Sequence, residues 1–182
     1  MAIGKILFFG QAGAGKTSIY KKYFLKLSNE QILETKPTVL FTLTKPNIKL
    51  FEKEAQVVVF DLGGQSSYIS SHLANDAVFS ALDIGIFVID VSEADLFERA
   101  IDFLSKAHER IHELNEKPPI IAIFLHKFDP ARKSSLESSA GQITDKLRKS
   151  FPNLSENIYS TTLFDDSIKE TMDTLLIKAF SK

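Results

Sequence analysis

The sequence predicts a three-layer α/β domain, a mostly parallel six-stranded sheet with helices on both faces. Three observations carry this prediction. Short runs of almost uninterrupted apolar residues at 5–9, 57–60, 84–91 and 120–125 read as strands buried on both sides. Between them lie stretches with helical spacing, most clearly 96–114, where Ala100, Phe103, Leu104, Ala107, Ile111 and Leu114 share one face. Finally, the first strand runs directly into Gly10-Gln11-Ala12-Gly13-Ala14-Gly15-Lys16-Thr17, which satisfies G-x-x-x-x-G-K-[ST], and a helical pattern follows. Buried strands alternating with helices build a parallel sheet, and ligands on such sheets sit beyond the carboxyl ends of the strands.

The elements follow in order. From Ser18 a helix is expected, with Tyr20, Tyr23, Phe24 and Leu27 on one face, and Ser28-Asn29-Glu30 reads as its break. A polar segment runs to Pro37-Thr38. Residues 39–44 alternate loosely, as an edge strand does, and 48–51, from Ile48 to Phe51, read as a second strand. The strand at 57–60 ends at Asp61, and a weaker helix is expected over 68–77. Pro118-Pro119 stops the long helix before the fifth strand at 120–125. An αβα stretch closes the chain: helix 136–147, strand 158–161, and a last helix from about Asp165-Asp166. There Ser167-Ile168-Lys169-Glu170 matches a capping box, with Ile168, Met172, Leu175, Leu176 and Ala179 inward. With no internal repeat or linker, residues 1–182 read as one domain, long enough to bury a full core.

Composition narrows the function. An apolar content of 44%, a charged content of 25% and a net charge of −1 are those of an ordinary globular chain, and they argue against a nucleic-acid binder, which would show a basic excess. The absence of cysteine excludes disulfides and thiolate metal sites. No apolar run approaches the ~18 residues that span a bilayer. The Met-Ala start and the Ala179-Phe180-Ser181-Lys182 end signal neither myristoylation nor prenylation, so no direct membrane anchor is expected and the expected location is the cytoplasm.

The chemistry gathers at the predicted strand ends. Glycines let a loop fold round an anion with its N–H groups inward, and the following helix adds its positive end. Gly10, Ala12, Gly13, Ala14, Gly15 and Ser18 are therefore expected to frame the phosphates. Lys16 brings a full charge to the β- and γ-phosphates, and the Thr17 hydroxyl is offered to Mg²⁺. Asp61, directly after the third strand, suits Mg²⁺, usually through water. Of the glycines that follow, Gly64 is placed to turn its N–H onto a γ-phosphate, and Gln65 to orient an attacking water. Thr38 would close over Mg²⁺ and the γ-phosphate in the triphosphate state. Thr35, Thr42 and Thr44 compete for that role; Thr38 is favoured because Pro37 stiffens its approach. In His126-Lys127-Phe128-Asp129, Asp129 can accept from the ring N–H and exocyclic amine of guanine, and the Lys127 stem can cover the base. Thr161, Thr162 and Leu163 would offer backbone N–H groups to the base carbonyl.

The set GQAGAGKT, PTV, DLGGQ and HKFD, in this order and spacing, resembles a Ras-superfamily small GTPase over essentially the whole chain. The His of HKFD, the double glycine of DLGGQ and the run Thr-Thr-Leu-Phe-Asp-Asp before the last helix are similar to the Rag/Gtr branch. The resemblance implies a P-loop GTPase fold, GTP/GDP and Mg²⁺ as ligands, and protein partners: an exchange factor, a GTPase-activating protein and effectors. Rag/Gtr proteins continue into a roadblock-type dimerisation domain, and this chain is expected to be the GTPase domain without it, with roadblock- or longin-type proteins acting in trans. Arf-like proteins share the double glycine but carry an amphipathic N-terminal extension, for which Met1-Ala2-Ile3-Gly4 is too short.

The expected function is thus a GTP-binding switch that hydrolyses GTP with Mg²⁺. Its four arginines, Arg99, Arg110, Arg132 and Arg148, fall outside the phosphate loop and outside the segment before Asp61, so intrinsic turnover is expected to be slow and partner-stimulated. Ala12 is expected to crowd the γ-phosphate. The alternative is a module that holds guanine nucleotide without turning it over; an ATP-using kinase would need an arginine-bearing lid. His108-Glu109-Arg110-Ile111-His112 spells H-E-x-x-H, but its place within the long helix and the lack of further ligands make it a solvated helix edge.

Overall fold

In the computed structural model, which describes residues 2–33, 38–50 and 53–181, β1 (Ala2–Gly10) lies in the middle of the sheet. The other strands are β2 (Phe41–Thr44), β3 (Asn47–Leu50), β4 (Lys53–Leu62), β5 (Ile84–Asp90), β6 (Ile120–His126) and β7 (Ile158–Thr161). They are ordered β2-β4-β1-β5-β6-β7, with β3 also paired to β4. All neighbours from β4 to β7 run parallel, whereas β2 and β3 run antiparallel to β4. The three-layer architecture is the expected one, with seven strands among the described residues in place of six, because the segments read at 39–44 and 48–51 are separate strands. The additional strand arises from a break in one edge. Thr44 lies opposite Val59 and Asn47 opposite Gln56, so the register continues unchanged across Lys45-Pro46. Pro46 has no N–H for the ladder but still accepts from Val57 N–H at 3.1 Å. Thr35, Pro37 and Phe51 lie outside the described residues.

β1 is flanked by β4 on one side and β5 on the other, which opens a crevice at its carboxyl end, where the phosphate loop begins. Alternation along β1 serves both layers: Leu7 and Phe9 face one helical layer, Ile6 and Phe8 the other. The first layer holds α3 (Ser66–Leu73), α4 (Asp76–Phe79), α5 (Phe97–Leu114) and α6 (Lys133–Ser150). The second holds α1 (Lys16–Phe24) and α7 (Ser167–Phe180). β5 is buried on both faces from Ile84 to Ile89, as its unbroken apolar run implies. Phe9 sits at a junction of rings, with centroids 5.0 Å from Phe87, 6.1 Å from Phe103 and 6.3 Å from Phe79. Edge-on packing of this kind adds to the area that these rings bury.

Several helix boundaries differ from expectation for local reasons. α1 begins at Lys16 and stops at Phe24, because Lys26 takes a left-handed φ of 55°; Leu27 is outside the helix, and Ile19 supplies burial instead. The segment read as a break contains α2 (Asn29–Leu33). Ser28 and Gln31 cap it reciprocally: Ser28 N–H donates to Gln31 Oε1 at 2.9 Å, and Gln31 N–H to Ser28 Oγ at 3.4 Å. The helix expected over 68–77 is split into α3 and α4, and Asn75 Oδ1 caps the second by accepting from Ala77 N–H. The capping box expected at Ser167 does not form: its Oγ accepts from Thr162 N–H at 3.0 Å, in the loop before α7.

Because Phe9 is fully buried among three other rings, Phe9→Ala is expected to cost about 3–5 kcal/mol. Urea unfolding of the two proteins measures it.

Candidate functional site

The carboxyl ends of β1, β4 and β6 open into one cavity of about 450 Å³. Its floor is the phosphate loop, with Ala12, Gly13, Gly15, Lys16, Thr17 and Ser18 in the lining. Gly15 has φ 101° and no space for a side chain, since a Cβ there would come 2.4 Å from Cδ2 of His126. The loop turns directly into α1, whose first turn carries no acidic side chain, leaving its positive end for an anion. Lys16 is almost fully buried and donates to Gly10 O at 2.9 Å and Gln11 O at 2.6 Å. Burial lowers its pKa to about 8, against the pull of Asp61. Gly10 and Ala14 support the loop from behind and do not line the cavity; Ala14 is buried in the second layer.

Beside Lys16, three oxygen-bearing side chains converge. Asp61 Oδ2 accepts from Thr17 Oγ1 at 2.5 Å and Thr38 Oγ1 at 3.2 Å, and the two threonine oxygens are 2.8 Å apart. Asp61 Oδ1 is buried with no partner among the described residues. Burial raises the Asp61 pKa, opposed by the Thr17 hydroxyl and the Lys16 charge. Carboxylate and hydroxyl oxygens are the donor set that Mg²⁺ prefers, and the orphaned Oδ1 is an acceptor that a cation or its bound water would satisfy. The residues therefore fit the metal.

Gly63 and Gly64 lie between the phosphate loop and residues 38–40. Gly63 N–H donates to Leu40 O at 2.6 Å, and Gly64 O accepts from Ala12 N–H at 2.8 Å. Gln65 is exposed at the start of α3 and lines the cavity.

At the far end, Asp129 Oδ1 accepts from Thr162 Oγ1 at 2.6 Å, which orients the carboxylate and leaves it acceptor sites. Lys127, at a left-handed φ of 63°, pairs through Nζ with Asp90 Oδ2 at 2.5 Å. The other oxygen of Asp90 is held by the Ser92 N–H and hydroxyl. His126 is buried, with Nδ1 3.0 Å from Thr161 Oγ1, and burial lowers its pKa to about 4. Thr161 and Thr162 thus stand behind the wall as supports. This differs from the backbone-donor role expected of them: Thr162 N–H is taken by Ser167, and only Leu163 of the three lines the cavity.

Sequence reasoning missed the apolar part of the lining, Ile32 and Leu33 of α2, Leu62, and Phe164. It also missed Asp90. The Ser28-x-x-Gln31 spacing could have revealed α2; an Asp ending a buried strand on the same side as Asp61 could have drawn attention to Asp90. The H-E-x-x-H pair is elsewhere: His108 packs its ring against Phe151 at 6.0 Å, so only His112 is fully on the solvated edge.

A family model described as the Gtr1/RagA G protein conserved region matches residues 5–182. The chain belongs to that family of G proteins. It is also similar to the Ras-related protein Rab-32 of Homo sapiens, 27% identical over 140 residues, which are 74% of this chain and 58% of that protein. The chain thus spans under two thirds of the length of that relative. The Gtr1/RagA match takes in every candidate site residue named above.

Folded His126 stays neutral down to about pH 4, whereas the unfolded side chain takes up its proton near 6.5. Its contribution to stability is therefore complete above pH 6.5 and declines as pH falls towards 4, by about 3 kcal/mol in all. Chemical denaturation across that range is expected to give a steeper acid loss for the wild type than for His126→Asn.

Proposed function

We propose that the chain binds GTP and GDP with Mg²⁺ and hydrolyses GTP slowly, as a switch that partner proteins read. One observation supports this above the rest: a single cavity has Lys16 and the start of α1 at one end and Asp129 with the Lys127 stem at the other. The phosphates would lie on the loop N–H groups, with the remaining donor of Lys16 directed to the β- and γ-phosphates. Asp129 would accept from the paired donors of guanine, an edge that adenine lacks, while Lys127, tethered by Asp90, would keep its methylenes along the base. Thr17, Thr38 and Asp61 would hold Mg²⁺, which supplies charge neutralisation at the phosphate oxygens.

Hydrolysis needs an oriented water and stabilisation of developing charge. Gln65 is the residue for the first, and its exposed position leaves it free to be fixed by a partner. No arginine lines the cavity among the described residues, which supports slow intrinsic turnover. A GTPase-activating protein would fix Gln65 or bring in charge; an exchange factor and effectors would complete the cycle, with roadblock- or longin-type proteins among the candidates and the cytoplasm as the setting. Among the described residues no helix is long and apolar enough to cross a membrane.

Asp129→Ala is expected to lose roughly a hundredfold of the preference for GTP over ATP in competition binding, and Lys16→Ala to lose nucleotide binding broadly. Retained preference in the first, with full affinity in the second, would remove the nucleotide reading. In single-turnover assays Gln65→Leu should hydrolyse GTP at least tenfold more slowly than wild type. Equal rates would leave a module that keeps GTP as a structural ligand.

A further inference from the structure

One buried histidine lies outside the cavity and yet touches the segment that closes it. His72, on α3, is 3% exposed, and its Nε2 is 3.0 Å from Gly63 O. A carbonyl only accepts, so Nε2 carries the proton. Burial lowers the pKa of the ring, which keeps it neutral and this tautomer fixed. Tyr68, one turn earlier, meets the ring at an angle with centroids 6.3 Å apart.

The peptide between Gly63 and Gly64 is trans and planar, so its C=O and N–H point in opposite directions. A carbonyl drawn towards α3 therefore turns the Gly64 N–H away from α3. The flanking groups hold the segment in place but do not set this rotation. Gly63 N–H is taken by Leu40 O and Gly64 O by Ala12 N–H, so the peptides on either side are committed. Close packing removes translation: a Cβ on Gly63 would lie 2.6 Å from Thr38 O, and one on Gly64 2.2 Å from the carbonyl carbon of Gln11. The central peptide could still flip, and among the described residues the hydrogen bond that opposes the flip is the one from His72.

We propose that His72 is a positioning residue for triphosphate recognition: it holds the Gly63 carbonyl towards α3, so that the Gly64 N–H is presented to the terminal phosphate. His72 does not line the cavity and acts wholly through this peptide. The inference rests on the reading that the γ-phosphate of GTP lies beside Gly64. It assigns to His72 a share of the difference between GTP and GDP, because GDP has no group at that position. Affinity for both nucleotides through the phosphate loop and Asp129 is independent of it.

The test measures dissociation constants for GDP and for a non-hydrolysable GTP analogue, with Mg²⁺, in the full chain. His72→Phe keeps an aromatic volume without a donor; His72→Gln keeps a donor. For His72→Phe the affinity for the analogue should fall about tenfold, while that for GDP stays within about twofold. His72→Gln should retain most of the wild-type ratio. If the phenylalanine variant does not fold, His72→Leu makes the same comparison. An unchanged ratio in the donorless variant, an equal loss for both nucleotides, or a ratio lost alike with and without the donor overturns the role of His72 alone. A wild type that binds neither guanine nucleotide overturns both this inference and the reading on which it rests.

Discussion

Asp61 and Lys16 are opposite charges taken out of water at the end of a buried sheet, near enough to feel each other's field. Burial pulls each towards its neutral form, raising the acid and lowering the base, and each partly restrains the shift in the other. A pair in this condition stabilises a fold weakly, because desolvation offsets most of the attraction. The stability that tolerates it comes from elsewhere, from two apolar layers on either side of β1, β4 and β5. The arrangement makes sense as preparation. On the proposed reading, groups already stripped of water would gain more from a polyanion and a divalent cation than solvated ones, with little rearrangement.

The two ends of the cavity are mechanically continuous. His126 fills the space beside Gly15, so the strand end that carries Asp129 abuts the glycine-rich loop directly. Its ring is tied to Thr161 at the end of β7, and the next residue, Thr162, holds Asp129. Asn29 of α2 donates to Leu163 O at 3.1 Å and is held in turn by Lys22 Nζ. A chain of side-chain contacts thus runs from α1 through α2 to the loop before α7. The His126–Thr161 contact in this chain is buried, and a buried polar contact is costly to leave unsatisfied.

The parts of this design that could be read from sequence are those where local chemistry and spacing coincide. The phosphate loop needs glycines, a lysine and a hydroxyl at fixed intervals, so Gly15, Lys16 and Thr17 identify themselves. β5 and β6 are unbroken apolar runs, and the stripe read from Ala100 to Leu114 is inward on α5, with Leu114 partly buried and Phe97 added at its start. What could not be read depends on distant partners. Ser167 is a nearer case: its hydroxyl had two local uses, as a cap within α7 and as an acceptor for Thr162 N–H five residues back, and the loop contact prevailed. Asp90 resembles any strand-end acid until the fold sets Lys127 beside it. Thr162 follows the same pattern, since its hydroxyl lies 33 residues from the carboxylate it serves. The short α2 was hidden by polar composition, although its reciprocal cap was present in the sequence.

The broken edge of the sheet bears on how the chain behaves at high concentration. β2 ends the sheet, and its Phe41 and Leu43 are exposed, a combination that invites another strand to add on. Pro46 turns inward, where its carbonyl accepts from Val57 N–H, so the donor it lacks is lost from the ladder with β4, and the exposed Lys45 stands where β2 ends. A strand added to this edge would find the four residues of β2 before Lys45-Pro46 ends the regular run. The outer rim therefore offers a visiting strand only a short run of partners.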